Sequence, residues 1–157
     1  RHRLLENSPH LASTLIHMYA KCGMLGKAQQ LLEELPVRDT VSWSSLISGY
    51  AQQDQGEKAL ECFQQMQLEC VPPNADTFIC SLKACAITDD VNQGQEIHAE
   101  ISCKGLVITH IEVGNALVDM YAKCGMFIEA KKVINDLPSS RQGLMECSAY
   151  SICKSWL

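Results

Sequence analysis

Residues 16–24 read Ile-His-Met-Tyr-Ala-Lys-Cys-Gly-Met, and residues 118–126 read Val-Asp-Met-Tyr-Ala-Lys-Cys-Gly-Met. An echo of this length is an internal repeat, so the chain is read as an array of similar units before anything else. The likeness runs outward from the echo. Leu15 matches Leu117, Ala28 matches Ala130, and Leu35-Pro36 matches Leu137-Pro138.

Each copy has the pattern of a helical hairpin. Leu11, Leu15, Met18 and Tyr19 recur at helical spacing over Leu11 to Cys22, and Gly23 is the expected stop, because glycine takes a left-handed C-terminal conformation at little cost. A second helix with Ala28, Leu31, Leu32 and Leu35 on one face ends at Pro36. The next hairpin has Trp43, Leu46, Ile47 and Tyr50 on one face of its first helix, then Ala59, Leu60, Phe63 and Met66 on its second, closed by Val71-Pro72-Pro73. A third carries Phe78, Leu82 and Cys85, then Ile97 and Ile101, with Gly105 as a C-cap. No segment alternates with a strand period, so the chain is predicted to be all-α. One such hairpin cannot bury its apolar face alone, whereas stacked hairpins can, and a right-handed α-solenoid of helix-turn-helix repeats is the expected architecture.

The units predicted are 9–39, 40–74, 75–110 and 111–141, preceded by the tail of an earlier long repeat at 1–8 and followed by a degenerate segment at 142–157. The chain begins at Arg1 rather than Met and shows no leader, which reads as an internal piece of something longer.

Composition narrows the function. A hydrophobic fraction of 46% provides a core, and a net charge of -5 argues against holding a polyanion by bulk positive charge. No apolar run is long enough to span a bilayer, so no membrane partner is expected. Nine cysteines, an odd number with no Cys-x-x-Cys pair, fit neither a disulfide framework nor a structural zinc site, and most read as small buried hydrophobes. His98 lacks a second histidine one turn away and reads as a packed or capping residue. A zinc deaminase's His-x-Glu and Pro-Cys-x-x-Cys signature is absent, as are a phosphate loop and a Ser/His/Asp constellation. No catalytic residue, metal site, cofactor or small-molecule substrate is predicted.

The stretch TVSWSSLISGYAQQDQGEKALECFQQMQLECVPPN at 40–74 resembles a pentatricopeptide repeat. Unit lengths of about 31, 35, 36 and 31 residues resemble the short, standard and long motifs of the plant PLS subclass. MYAKCG is typical of its short motifs, and SLKACA followed by GQEIHAEISCKG of its long ones. Tetratricopeptide repeats, which bind peptides, keep a constant period of about 34 residues and do not fit this cycle. The resemblance implies sequence-specific binding of single-stranded RNA in mitochondria or plastids, often in C-to-U editing, with editing or processing factors as further partners. An interaction scaffold that holds a protein segment is the alternative function. A nuclease is disfavoured, because no metal-binding carboxylate cluster is visible.

Steps of four along each first helix stay near one face. They give Ser13-His17-Lys21, Ser44-Ser48-Gln52, Ile79-Lys83-Ile87 and Asn115-Asp119-Lys123, polar in all but the third. In the resembled family the fifth and last residues of a repeat read one base. Carried over, the pairs are Ser13 with Asp39, Ser44 with Asn74, Ile79 with His110, and Asn115 with Arg141. The resemblance implies guanine for the first pair, adenine for the second, no base for apolar Ile79, and a pyrimidine for Asn115, although Arg141 departs from the usual Asp. Val41 matches the family's apolar base-sandwiching second residue; His10, Asp76 and Glu112 at that place do not. Lys21, Lys83 and Lys123 face the same groove and are candidates for neutralising phosphates. Acids such as Glu33, Glu61 and Glu100 fall in the second helices, which lets a net acidic chain keep a locally favourable groove.

Overall fold

The computed structural model of the chain describes residues 9–137. The 1–8 and 142–157 segments, with Arg141, lie outside the described residues. Every regular element within residues 9–137 is helical. We number the helices α1 (Pro9–Lys21), α2 (Leu25–Glu34), α3 (Thr40–Gln52), α4 (Gly56–Leu68), α5 (Ala75–Thr88), α6 (Val91–Cys103), α7 (Leu106–Thr109), α8 (Ile111–Lys123) and α9 (Phe127–Asp136). The all-α class and the helix-turn-helix repetition are those the sequence predicts. No described helix is long and apolar enough to cross a membrane. The chain falls into two compact units, divided between Ser81 and Leu82 within α5.

Each hairpin turns in the same way. The N–H groups of Met24, Gln55, Asp90 and Met126 donate to the carbonyls of Tyr19, Tyr50, Cys85 and Tyr121, at 2.9, 3.0, 3.1 and 2.8 Å. This six-to-one bond of a Schellman cap needs a left-handed residue in between. Gly23 and Gly125 supply it at φ 75° and 71°, whereas Asp54 and Asp89 adopt it at φ 56°. An L-residue with a Cβ is strained there, so Asp54→Gly relieves strain at an exposed turn, partly offset by a more flexible unfolded chain. The expected gain is about 0.5 kcal/mol, read as a small rise in denaturation midpoint at unchanged slope. A lower midpoint would mean that the aspartate side chain holds the turn.

In the first unit α1 packs on α2 and α3, and α3 on α4. Trp43, Leu46, Ile47 and Tyr50 are buried on α3, as are Ala59, Phe63 and Met66 on α4. Phe63 meets Phe78 of α5 edge to face with ring centroids 6.2 Å apart. Arg38 closes the C-terminal end of α2 by donating to the carbonyls of Leu32 and Glu33, and it pairs with Glu69 at the end of α4. In the second unit α8 packs on α9 and on α6. After Gly105 at φ 65° the chain makes the single turn α7, which has no counterpart in the other described hairpins.

Two sequence expectations are corrected. Leu11 and Met18 are not core; they are 48% and 43% exposed, while Ala12, Ile16 and Ala20 form the buried stripe of α1. The face carrying Leu11 and Met18 corresponds to that of Ser42 and Gly49 on α3, which is buried in this unit; no described helix buries the α1 face. Among the described residues the cysteines are also not mostly buried. Cys62 and Cys85 are, with thiols pushed by burial to about 12, but Cys22, Cys70 and Cys103 at helix ends and turns are exposed. Among the described residues no cluster could hold a metal ion. His98 is packed as expected, with Nδ1 2.9 Å from the Tyr121 hydroxyl, and burial holds its pKa below the ordinary histidine value despite Asp136.

Candidate nucleic-acid interface

The placement of the candidate residues follows from how the helices begin. A helix N-terminus leaves backbone N–H groups without partners, and a short Asx side chain just before it can accept from them. Asp39 does so for α3, accepting from Ser42 N at 2.8 Å. Asn74 does so for α5, accepting from Thr77 N at 2.8 Å through Oδ1. The last residue of one predicted unit is therefore the N-cap of the next. That fixes its side chain beside the first helix of its own hairpin, within reach of the fifth residue.

The first pair is in direct contact. Ser13 Oγ donates to Asp39 Oδ2 at 2.9 Å, and Ser42 Oγ donates to Asp39 Oδ1 at 2.6 Å and approaches Ser13 Oγ at 3.2 Å. Ser13 is only 6% exposed, so it is not on a solvated polar row. Burial pushes the Asp39 carboxyl up, but the hydrogen bonds from Ser42 and Ser13 outweigh it and hold the pKa below the usual carboxylate value. Asp39 is thus an anionic acceptor at neutral pH.

The second pair is wired through a third residue. Ser44 Oγ donates to the Thr40 carbonyl at 2.6 Å and lies 2.7 Å from Thr77 Oγ1, but 3.5 Å from Asn74 Oδ1. Thr77 Oγ1 in turn donates to Asn74 Oδ1 at 2.7 Å. Beside this pair is a cavity of about 340 Å³, lined among others by His17, Lys21, Val41, Ser44, Asn74, Asp76 and Ile79. Val41 is 55% exposed there, an apolar surface open to a flat ligand. Lys21 gives the rim a cation and Asp76 an opposing carboxylate. The site therefore combines an apolar wall, hydrogen-bonding groups and one positive charge, within the usual volume of a ligand pocket.

The second unit is less complete. Lys83 is exposed on α5 and Asn115 half-buried on α8. Lys123 is ion-paired with Asp119 at 2.8 Å, so its charge already has a partner. His110 precedes α8 without a side-chain cap and lies 2.9 Å from Thr109 Oγ1 through Nδ1. The sequence reading missed Ser42 and Thr77, both fully buried. Their signal is legible in retrospect: each is a hydroxyl three residues after an Asx cap, in Asp39-Thr40-Val41-Ser42 and Asn74-Ala75-Asp76-Thr77.

Models of the PPR repeat family match residues 12–39, 38–87 and 115–141. A chloroplastic pentatricopeptide repeat-containing protein of Arabidopsis thaliana is 39% identical over 134 residues, 85% of this chain and 22% of that protein. A mitochondrial one from the same plant is 38% identical over 133 residues, again 85% of this chain and 19% of the relative. The chain thus spans about a fifth of the length of these relatives. Among solved structures, the maize pentatricopeptide repeat protein PPR10 matches with a TM-score of 0.61 at 21% identity, over 86% of this chain and 20% of that one. PPR10 in complex with an 18-nt psaJ RNA element matches with a TM-score of 0.64 at 21% identity, over 88% of this chain and 20% of that one. At this identity the likeness is one of fold: all-α, in repeated helical hairpins.

Proposed function

Because the chain belongs to the pentatricopeptide repeat family, we propose that it is a single-stranded RNA-binding module with no chemistry of its own. It reads bases at the hairpin junctions and contributes to organellar RNA editing or processing. The observation that carries this reading is the cavity on the first unit. There Val41 offers a stacking wall, Ser44 and Asn74 a hydrogen-bonding edge, and Lys21 a phosphate counter-charge.

Asp39 presents acceptors, which suits the N–H groups on guanine's Watson–Crick edge. Asn74 has Oδ1 committed to its cap, which leaves Nδ2 to donate to N1 of adenine. The third unit reads no base through Ile79, and Asn115 with Arg141 reads a pyrimidine. The unit-length cycle supports the PLS subclass, and the chloroplastic and mitochondrial relatives support an organellar setting.

Titration of the chain against single-stranded RNA and double-stranded DNA tests the proposal. RNA is expected to bind more tightly, and equal affinity for both would defeat it. Lys21→Ala is expected to weaken binding to all RNA sequences alike and to reduce the slope of log K against log salt by about 0.7, the share of one phosphate contact on a single strand. An unchanged slope would remove Lys21 from the interface.

A further inference from the structure

We infer that Thr77, outside the proposed fifth-and-last-residue pair, is a specificity-determining residue: by fixing the orientation of the Asn74 amide it makes the second hairpin reject guanine. This rests on the reading of Asn74 as a base reader and adds the residue that sets its choice.

An asparagine side chain is chemically two-faced. One end only accepts, the other only donates, and a half-turn about χ2 exchanges them. Presented to a base, Nδ2 pairs with N1 of adenine, while Oδ1 would pair with N1–H of guanine. Asn74 therefore discriminates only as far as its amide is kept from turning.

Two donors on Thr77 hold Oδ1 inward. The backbone N–H lies 2.8 Å from it and the hydroxyl 2.7 Å. The N–H cannot reverse its role, so the atom facing it is the oxygen. The hydroxyl adds a second donor from a residue that is itself 0% exposed, while Asn74 is exposed. With the hydroxyl removed, the backbone N–H bond and only the long 3.5 Å approach of Ser44 Oγ would hold Oδ1 on a solvent-facing side chain, and a guanine could draw the amide round.

Asp39 makes the same contacts without the same need. Ser42 places N–H and hydroxyl on Asp39 Oδ1 at 2.8 and 2.6 Å. A carboxylate is symmetric, so turning it exposes another acceptor and changes nothing for a base. The hydroxyl three residues past the cap thus sets specificity after asparagine and only geometry after aspartate. Val113 stands at the corresponding place after His110, where no side chain caps α8.

The test is competition binding by the full chain with oligoribonucleotides that carry adenine or guanine at each position in turn. Thr77→Val keeps the backbone N–H and the β-branch. It is expected to lower the adenine-over-guanine preference at one position about fivefold, mainly by raising guanine affinity, and Thr77→Ser is expected to restore it. Ser42→Ala is expected to cost affinity at the first hairpin by loosening Asp39 but to leave guanine the preferred base there, because either carboxylate oxygen accepts. If Thr77→Val kept the wild-type ratio, or weakened binding to all sequences alike with a lowered melting temperature, Thr77 would be structural only and the base-reading proposal would still stand. A switch of the preferred base from guanine to adenine in Ser42→Ala would overturn the argument from amide asymmetry. A wild-type chain with no base preference at any position would defeat the base reading itself, and this inference with it.

Discussion

Gly49→Met is expected to lower the melting temperature by about 6–12 °C, the shift for a loss of about 3 kcal/mol in a domain of this size. Gly49 sits on α3 where that helix meets the first hairpin. A Cβ added there would lie 2.6 Å from Leu25 Cδ2, 3.1 Å from Ala20 Cβ and 3.6 Å from Ala20 Cα. Leu25 is buried, so its Cδ2 can yield only by repacking the core, and the Ala20 methyl cannot rotate away; a long side chain at 49 therefore presses α3 away from α1. A single methyl would be partly compensated, because alanine gains about 1 kcal/mol over glycine in helix propensity. Methionine has no such rescue: its remaining atoms add overlap and no further propensity. Met18 occupies the same register on α1 and is 43% exposed, so Met18→Ala should shift the melt little. The contrast between two variants at one register position separates packing from residue type. A Gly49→Met melt equal to wild type would mean that α1 and α3 do not approach as closely as the structure has them.

The same comparison shows what the sequence disclosed and where it stopped. The helices were legible because apolar spacing, Gly23, Gly125 and the Pro72-Pro73 break all act locally. Asp54 and Asp89 were not visible as turn residues, since nothing in their type demands a left-handed backbone; the Schellman bond demands it of whatever stands there. The exposure of Met18 was misjudged because spacing identifies a stripe but not whether a neighbour covers it. Gly49, the small residue that permits close packing, points to the covered face better than the large ones do. At the candidate site Val41, Ser44, Asn74 and Lys21 are singled out by their positions in the repeat, and the structure brings them to one cavity. The network holding them was missed, because hydrogen bonds across about 30 residues of sequence, such as Ser13 to Asp39 and Ser44 to Thr77, leave no periodic trace. Lys123 shows the converse. Its spacing puts it in the polar row, but Asp119 one turn earlier in the same row already neutralises it.

Asn74→Asp is expected to move base preference at the second hairpin from adenine toward guanine, with a change in discrimination of about 1–3 kcal/mol, roughly a factor of ten for each 1.4 kcal/mol. The fold should tolerate the exchange, because the chain already contains it. Asp39 caps α3 with the same two bonds that Asn74 makes to Thr77, at distances within 0.1 Å of them: 2.8 and 2.6 Å against 2.8 and 2.7 Å. A carboxylate is also favoured at a helix N-terminus, where the macrodipole is positive. One oxygen of the new carboxylate stays in the cap. The group beside it changes from a donor to an acceptor, which can no longer serve N1 of adenine but can accept from N1–H of guanine. The added negative charge near Lys21 weakens attraction for every RNA, so the informative quantity is the ratio of affinities and not either affinity alone. Competition between RNAs that differ only in the base opposite the second hairpin measures that ratio. A uniform loss for all bases, with the ratio unchanged, would show that Asn74 touches the RNA electrostatically and reads nothing.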